Sequence, residues 1–287
     1  MSSFLDVSAR DNLLRSFLAE DIGSGDVTTE TTVPAAQRAR GELVAKAPLV
    51  LAGIDLFAEV FRLLDATAVS EISARDGEEL TPGNIPGRVT ASARALLTGE
   101  RVALNLLQRL SGVATLTHRF VRAVEGTGAQ ILDTRKTTPG LRALEKYAVR
   151  VGGGKSYRRD LGEAILIKDN HIRLAGGVSA ALAAAQAARS RVQRIEIEVT
   201  CLDELREALP HQPAVILLDN MSPALVREAV SEVRRHAAPG KIRTEASGGI
   251  RLDNVREFAE AGVDLISVGA LTHSAPAVDI SFEIEPE

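Results

Sequence analysis

Tryptophan is absent from this chain of 287 residues, aromatics make up only 3%, and there is a single cysteine. Each scarcity excludes something. Single-stranded nucleic acid is bound on stacked aromatic rings, and this chain has too few to supply such a platform. A lone thiol, Cys201, allows neither an internal disulfide framework nor a cysteine-rich zinc module; coming just after an apolar run, it reads as a buried, inert side chain. Charge of one sign is lacking too. The 34 Lys+Arg and 38 Asp+Glu leave a formal charge of −4, with no basic excess for duplex DNA, so nucleic acid is not an expected partner. No apolar run nears the ~18 residues of a membrane span. The start Met1-Ser2-Ser3-Phe4-Leu5-Asp6 has neither the basic nor the apolar region of a signal peptide. The expected location is cytoplasmic.

What is present is an ordinary globular composition, 45% hydrophobic and 25% charged, on a chain long enough for one large domain or two modest ones. From about residue 129, short apolar runs recur and end in polar residues: Ala129–Asp133, Ala164–Lys168, Arg194–Val199, Ala214–Asp219, Lys241–Glu245 and Leu265–Gly269. Ala-rich helical patterns such as Val178–Arg189 and Pro223–His236 lie between them. From Ile131 through Ile165, Ile195, Val215 and Ile242 to Leu265, the spacings are 34, 30, 20, 27 and 23 residues. Such alternation gives βαβ units and a parallel sheet. A doubly wound sheet would favour a Gly-rich turn after its first strand, but here that strand runs into Asp133-Thr134-Arg135-Lys136. Charged residues at the ends of nearly all the strands favour a barrel, where every strand end faces one site. A full eight-fold barrel takes ~250 residues, more than this segment holds. The expectation is an α/β fold: a reduced, incomplete parallel barrel over 113–274.

Residues 1–112 read as a separate α+β sandwich domain. Asp11–Ala19 and Asp55–Leu64 carry helical patterns, and Gly41–Ile54 reads as a hairpin-forming strand pair interrupted by Pro48. Glu71–Arg75 and Gly87–Ser92 read as further strands, and Glu100–Leu110 as a helix bridging to the barrel. In the tail, 275–287, the stretch Asp279–Ile284 alternates like a strand with Ile280, Phe282 and Ile284 on one face, and is expected to pair back onto this domain.

In Ile195-Glu196-Ile197-Glu198-Val199 the aliphatic residues share one face and the glutamates the other. Helices cover a barrel's outside, so the glutamates should face inward. Carboxylates there are costly unless met by cations or metal; a layer of mutually paired core charges is the alternative. Cations gather at the same strand ends: Arg135 and Lys136, Arg158 and Arg159, and Lys168 followed by His171. Opposite Glu198 and Asp219, they suit a small polyanion bound with a divalent ion, and oxygen ligands of this kind favour Mg²⁺. Two late glycine segments, Ser247-Gly248-Gly249 and Ser267-Val268-Gly269, suit a backbone phosphate cradle. His171 could orient substrate or serve as a supporting hydrogen-bond partner. His118, His211, His236 and His273 show no metal-ligand spacing, and no G-x-S-x-G turn marks a serine hydrolase.

Taken in order, Glu20-Asp21-Ile22-Gly23-Ser24-Gly25-Asp26, Glu100-Arg101-Val102-Ala103-Leu104-Asn105, Asp133-Thr134-Arg135-Lys136-Thr137-Thr138-Pro139-Gly140, Leu166-Ile167-Lys168-Asp169-Asn170-His171, Leu217-Leu218-Asp219-Asn220-Met221 and Glu245-Ala246-Ser247-Gly248-Gly249 resemble the quinolinate phosphoribosyltransferases almost end to end. The resemblance implies transfer of phosphoribosyl from phosphoribosyl pyrophosphate to quinolinate with loss of CO₂, giving nicotinate mononucleotide in de novo NAD synthesis, with Mg²⁺. It implies a homodimer, or a dimer-based hexamer, with Arg101 reaching into the partner's site. Arg135, Lys136, Arg158 and Lys168 would bind carboxylates and phosphates. Glu198 and Asp219 would serve the ribose hydroxyls and the metal, and Ser247, Gly248, Gly249 and Gly269 would hold phosphate. One position departs: where the family shows Asn-His-Arg, this chain has Ser156-Tyr157-Arg158. A tyrosine keeps a hydrogen bond but loses the positive charge, which leaves room for a relative with another acceptor, or for a non-catalytic phosphate-binding protein.

Overall fold

The computed structural model describes residues 6–188, 194–238 and 240–287. Among these the strands are β1 Arg38–Ala45, β2 Leu49–Val50, β3 Val69–Ile72, β4 Glu79–Leu80, β5 Gly87–Ser92, β6 Gln130–Leu132, β7 Ile165–Ile167, β8 Ile195–Val199, β9 Val215–Asp219, β10 Arg243–Ser247, β11 Leu265–Ser267 and β12 Ile280–Pro286. The chain divides into two compact units. One comprises the residues up to His118 with Ala143–Gly153 and Ala275–Glu287; the other comprises Arg119–Arg142 and Gly154–Ser274. The helix expected over Glu100–Leu110 runs from Ala93 to Ala123, and the division falls within it. The sequence reading drew its boundary at 112 and left Ala143–Gly153 with the barrel; the structure counts that segment with the first unit. Its helix Arg142–Val151 is anchored there, Arg109 donating to Glu145 at 2.7 Å and the Tyr147 hydroxyl to Asp76 at 2.5 Å.

The first unit carries an antiparallel sheet ordered β12-β1-β5-β3. On β1 the residues Ala39, Gly41, Leu43 and Ala45 alternate inward, so one face of the strand packs inward and the other stays wet. Phe57 and Phe61 of the helix Ile54–Leu64 meet Phe282 of β12, with ring centroids 5.2 and 5.3 Å from it. Gly41 admits that ring: a Cβ there would lie 2.0 Å from the Phe282 ring edge. The tail thus pairs back onto the first unit as expected. The hairpin expected over Gly41–Ile54 does not form. β1 pairs with β12 and β5, whereas β2 pairs with β4. Pro48 interrupts the run, and each side of it finds a different, distant partner.

In the second unit six parallel strands follow the order β6-β11-β10-β9-β8-β7. The edge strands β6 and β7 do not pair with each other. Instead Lys155 runs beside β6, donating its N–H to Ile131 at 2.8 Å and accepting one from Asp133 at 3.1 Å. The barrel is therefore reduced and open, as the short segment requires. Helices Val178–Ala187, Leu202–Ala208, Pro223–His236 and Val255–Glu260 return the chain between strands; position 189 of the predicted helix 178–189 lies outside the described residues. Ser222 caps the helix that opens with Pro223, accepting from the Leu225 N–H at 3.3 Å. With both faces covered, all five residues of β8 are buried. Cys201 is a correction: it is exposed, not buried, because the chain has left the strand at Val199 and Cys201 caps the next helix.

Candidate functional site

The strand C-termini of the second unit surround a cavity of about 520 Å³. Nearly every expected site residue of that unit lines it. Beyond β6 stand Arg135 and Lys136; before β7 come Tyr157 and Arg158; Lys168 follows β7. Glu196 and Glu198 come from β8, Asp219 ends β9, and Glu245 and Ser247 belong to β10, with Gly248 and Gly249 directly after it. This is what parallel strand order dictates: every C-terminus opens on the same end.

The cations crowd one side of the cavity. Burial, then the neighbouring Arg158 and Arg142, pulls the Arg135 pKa below its ordinary value. Among the described residues the buried Nε atoms of Arg135 and Arg158 have no hydrogen-bond acceptor. Arg158 also sits in the left-handed region at φ 55°, a conformation that costs a non-glycine residue energy and is retained where function needs it. Lys168 is partly satisfied, its Nζ donating to Glu198 Oε2 at 2.7 Å.

The carboxylates divide into two sets. Glu198 and Asp219 stand on neighbouring strands, Glu198 beside Lys168 and Asp219 accepting from the Asn220 amide at 2.6 Å. Glu196 and Glu245 lie deeper, each 2% exposed. Burial, and then Glu245, raises the Glu196 carboxyl to about 8. Burial raises Glu245 as well, against an opposing hydrogen bond from Ser267. Burial thus disfavours the charged form of both carboxyls, and at Glu196 the neighbouring Glu245 adds to it.

After β10, Gly248 and Gly249 take left-handed φ values of 90° and 62°. A Cβ at Gly248 would stand 2.2 Å from Asn220 Oδ1, so only glycine fits that turn. Successive backbone N–H groups in such a turn form a concavity suited to phosphate.

Three expected residues fall elsewhere. His171 is off the cavity wall: its Nδ1 accepts the Lys168 N–H at 2.9 Å and caps the helix Asp169–Ala175. Gly269 is also off the wall, beside Lys136, whose Cδ would be 3.1 Å from a Cβ placed on it. Arg101 belongs to the first unit, exposed and 3.7 Å from Glu100. Conversely, the sequence reading gave no role to Asn220, which shapes the glycine turn, or to Arg194, whose guanidinium lies 3.6 Å from the Tyr157 ring centroid. Arg194 had a signal: it stands two before Glu196, on the same side of the strand.

Among the described residues no three His, Cys, Asp or Glu side chains come together as a metal cage. Two carboxylates on adjacent strands still suit Mg²⁺, which keeps several waters and binds through few carboxylates plus substrate phosphates. The donor set thus fits an ion arriving with a pyrophosphate.

Comparison with known proteins gives this arrangement a family. The profile described as quinolinate phosphoribosyl transferase, N-terminal domain, matches residues 26–111, and that of the C-terminal domain matches 113–283. The chain is 44% identical over 272 residues to the probable carboxylating nicotinate-nucleotide pyrophosphorylase of Bacillus subtilis, covering 95% of this chain and 92% of that one. It is 44% identical over 282 residues to the carboxylating nicotinate-nucleotide pyrophosphorylase of Mycobacterium leprae, covering 96% and 97%. The crystal structure of NadC from Streptococcus pyogenes superposes with a TM-score of 0.92 at 40% identity over 99% of both chains. Profiles over both units, relatives matched nearly end to end, and a cation-lined barrel mouth agree that the chain belongs to the quinolinate phosphoribosyltransferase family.

Proposed function

We propose that the chain transfers phosphoribosyl from phosphoribosyl pyrophosphate to quinolinate, releasing pyrophosphate and CO₂ and forming nicotinate mononucleotide for de novo NAD synthesis. The observation that carries this reading is a pair of half-buried arginines on the cavity wall, Arg135 and Arg158, whose buried Nε atoms lack an acceptor among the described residues. Such donors are costly unless an anion meets them, and quinolinate brings two adjacent carboxylates. Tyr157 adds a neutral donor, its hydroxyl pushed up to about 12 by burial and so protonated at any working pH. Lys136 and Lys168 complete the cationic wall. Ser247 and the amides at Gly248 and Gly249 hold phosphate on the opposite side.

Glu198 and Asp219 bind the ribose hydroxyls. They also place negative charge near the sugar carbon as the pyrophosphate departs, where an oxocarbenium-like centre develops. The two carboxylates would hold Mg²⁺, partly through water and pyrophosphate, and the ion would supply positive charge to the departing pyrophosphate. The substrate's own ring nitrogen is the nucleophile, so no protein nucleophile is required. Once ribosylated, that nitrogen is positive and stabilises the electron pair left when the adjacent carboxylate departs as CO₂. A homodimer, alone or within a hexamer, is part of the reading, with Arg101 completing the partner's site. A cytoplasmic location is too, since both substrates are polyanions that do not enter lipid. Neither a different acceptor nor a purely binding role is favoured, because Arg135, Lys136, Arg158, Lys168, Glu198 and Asp219 all line the one cavity.

The test is purified protein with quinolinate, phosphoribosyl pyrophosphate and Mg²⁺, following CO₂ and nicotinate mononucleotide. Turnover that stops on chelation of Mg²⁺ is expected. No turnover at millimolar quinolinate overturns the assignment.

A further inference from the structure

Tyr157 stands where the resemblance noted in the sequence implies a histidine, and an arginine packs behind it. Tyr157 lines the cavity with Arg135, Arg158 and Lys168, whereas Arg194 does not reach the wall. The Arg194 guanidinium carbon is 3.6 Å from the Tyr157 ring centroid, a stacking distance. The same guanidinium is only loosely engaged otherwise. Its Nη2 is 3.6 Å from Glu196 Oε2, longer than a hydrogen bond. Among the described residues the buried Nε and Nη2 have no hydrogen-bond acceptor. The ring face is its closest contact, and Glu196 meets it at ion-pair distance without a direct hydrogen bond.

We propose that Arg194 is a positioning residue for the acceptor: stacked on Tyr157, it fixes the ring that forms this part of the wall. It also supplies from behind that ring the positive charge a histidine at 157 would carry itself. The inference rests on the reading of the cavity as the dicarboxylate site. Two physical effects support it. A cation on the face of a phenol strengthens its O–H as a hydrogen-bond donor, and a ring already pinned loses little freedom when substrate binds. The Tyr157 hydroxyl stays protonated, so the tyrosine contributes a dipole and Arg194 the charge. Because Tyr157 meets what enters the cavity and Arg194 does not, Arg194 acts through the tyrosine.

The experiment is a double-mutant cycle of Arg194→Leu and Tyr157→His, with Arg194→Lys as the variant that keeps charge but not the planar stack. Steady-state kinetics for both substrates are measured, with melting temperature and calorimetric binding of benzene-1,2-dicarboxylate, an unreactive dicarboxylate. Arg194→Leu should raise the quinolinate KM and the dicarboxylate Kd about tenfold, while kcat and the phosphoribosyl pyrophosphate KM stay within about twofold. Arg194→Lys should fall between. In the Tyr157→His background the loss on Arg194→Leu should shrink to about twofold or less, since the charge then sits at 157 itself. An unchanged quinolinate KM in Arg194→Leu overturns the proposal. An equal loss in both backgrounds does so as well, and so does a joint decline of kcat, both KM values and melting temperature. Failure of the wild-type protein to bind either dicarboxylate overturns the reading of the cavity instead, and the proposal falls with it.

Discussion

At Glu196, burial and the adjacent Glu245 raise the carboxyl to about 8, whereas in the unfolded chain it keeps its ordinary value of 4.5. Between those limits the folded protein keeps a proton that the unfolded chain has lost. Unfolding then releases it, so stability falls as pH rises through the window, by up to about 1.4 kcal/mol per unit at full occupancy. Above it both states are ionised and the dependence ends. Glu196→Gln removes the term while keeping the shape. The variant should match the wild type at pH 5 and melt higher at pH 8.5, in scans without substrate. Parallel curves across that range would show that Glu196 is ionised throughout. The inward glutamates were legible from period two alone, because one residue of slip would have turned Ile195, Ile197 and Val199 into the lumen. Arg194 was not assigned, because nothing local to Tyr157 says which side chain will lie on its ring. His171 makes the supporting hydrogen bond that was one of its two expected roles. It follows the right strand, but its ring is drawn back to the Lys168 N–H, a short-range hydrogen bond that competes with any long-range role.

Elements were legible where a boundary had a chemical cause. The helix Pro223–His236 begins where Ser222 and Pro223 say it should, and five of the six barrel strands lie within their apolar runs. The exception is β10, expected over Lys241–Glu245. It runs two residues further because Ala246 and Ser247 still pair with Leu218 and Asp219 of β9. Pairing partners of distant sequence are where the reading failed: Ala45 of β1 faces Ile280 rather than the strand just past Pro48. The loop after β10 gives the sharpest test at this scale, since its two glycines share a left-handed φ but not their surroundings. Gly248→Ala must displace Asn220, whose Oδ1 is 2.2 Å from the new Cβ, whereas a Cβ at Gly249 meets nothing within 4 Å. Gly249→Ala should therefore show backbone strain alone, about 1–2 kcal/mol. Gly248→Ala should raise the phosphoribosyl pyrophosphate KM at least about tenfold more than Gly249→Ala, with the quinolinate KM much less affected. Equal effects of the two substitutions would mean that Asn220 does not shape the phosphate turn.

For the whole molecule, the two-part organisation was legible because composition and period change near residue 112. The return of Ala143–Gly153 to the first unit was not. That helix has an ordinary amphipathic pattern, and it takes contacts such as Arg109–Glu145 and Tyr147–Asp76 to reveal which unit it serves. Arg101 poses the remaining question at this scale. It is the one expected site residue in the first unit, its side chain 61% exposed and 3.7 Å from Glu100. If it completes the site of a second copy, activity belongs to the pair of chains and not to either alone. Arg101→Ala and Lys168→Ala chains should then each be nearly inactive, one for want of a donated arginine and the other for want of its own lysine. Mixed and allowed to exchange, half of the dimers combine one chain of each kind. In such a dimer one site carries both defects and the other carries neither. A two-fold interface therefore predicts recovery of about a quarter of wild-type activity, rising with protein concentration as dimers form. Should Arg101 serve its own chain, every site in every mixture would keep one defect, and no recovery would appear at any concentration. Size-exclusion chromatography of each variant, run beside the assay, separates that outcome from a simple failure of the chains to exchange.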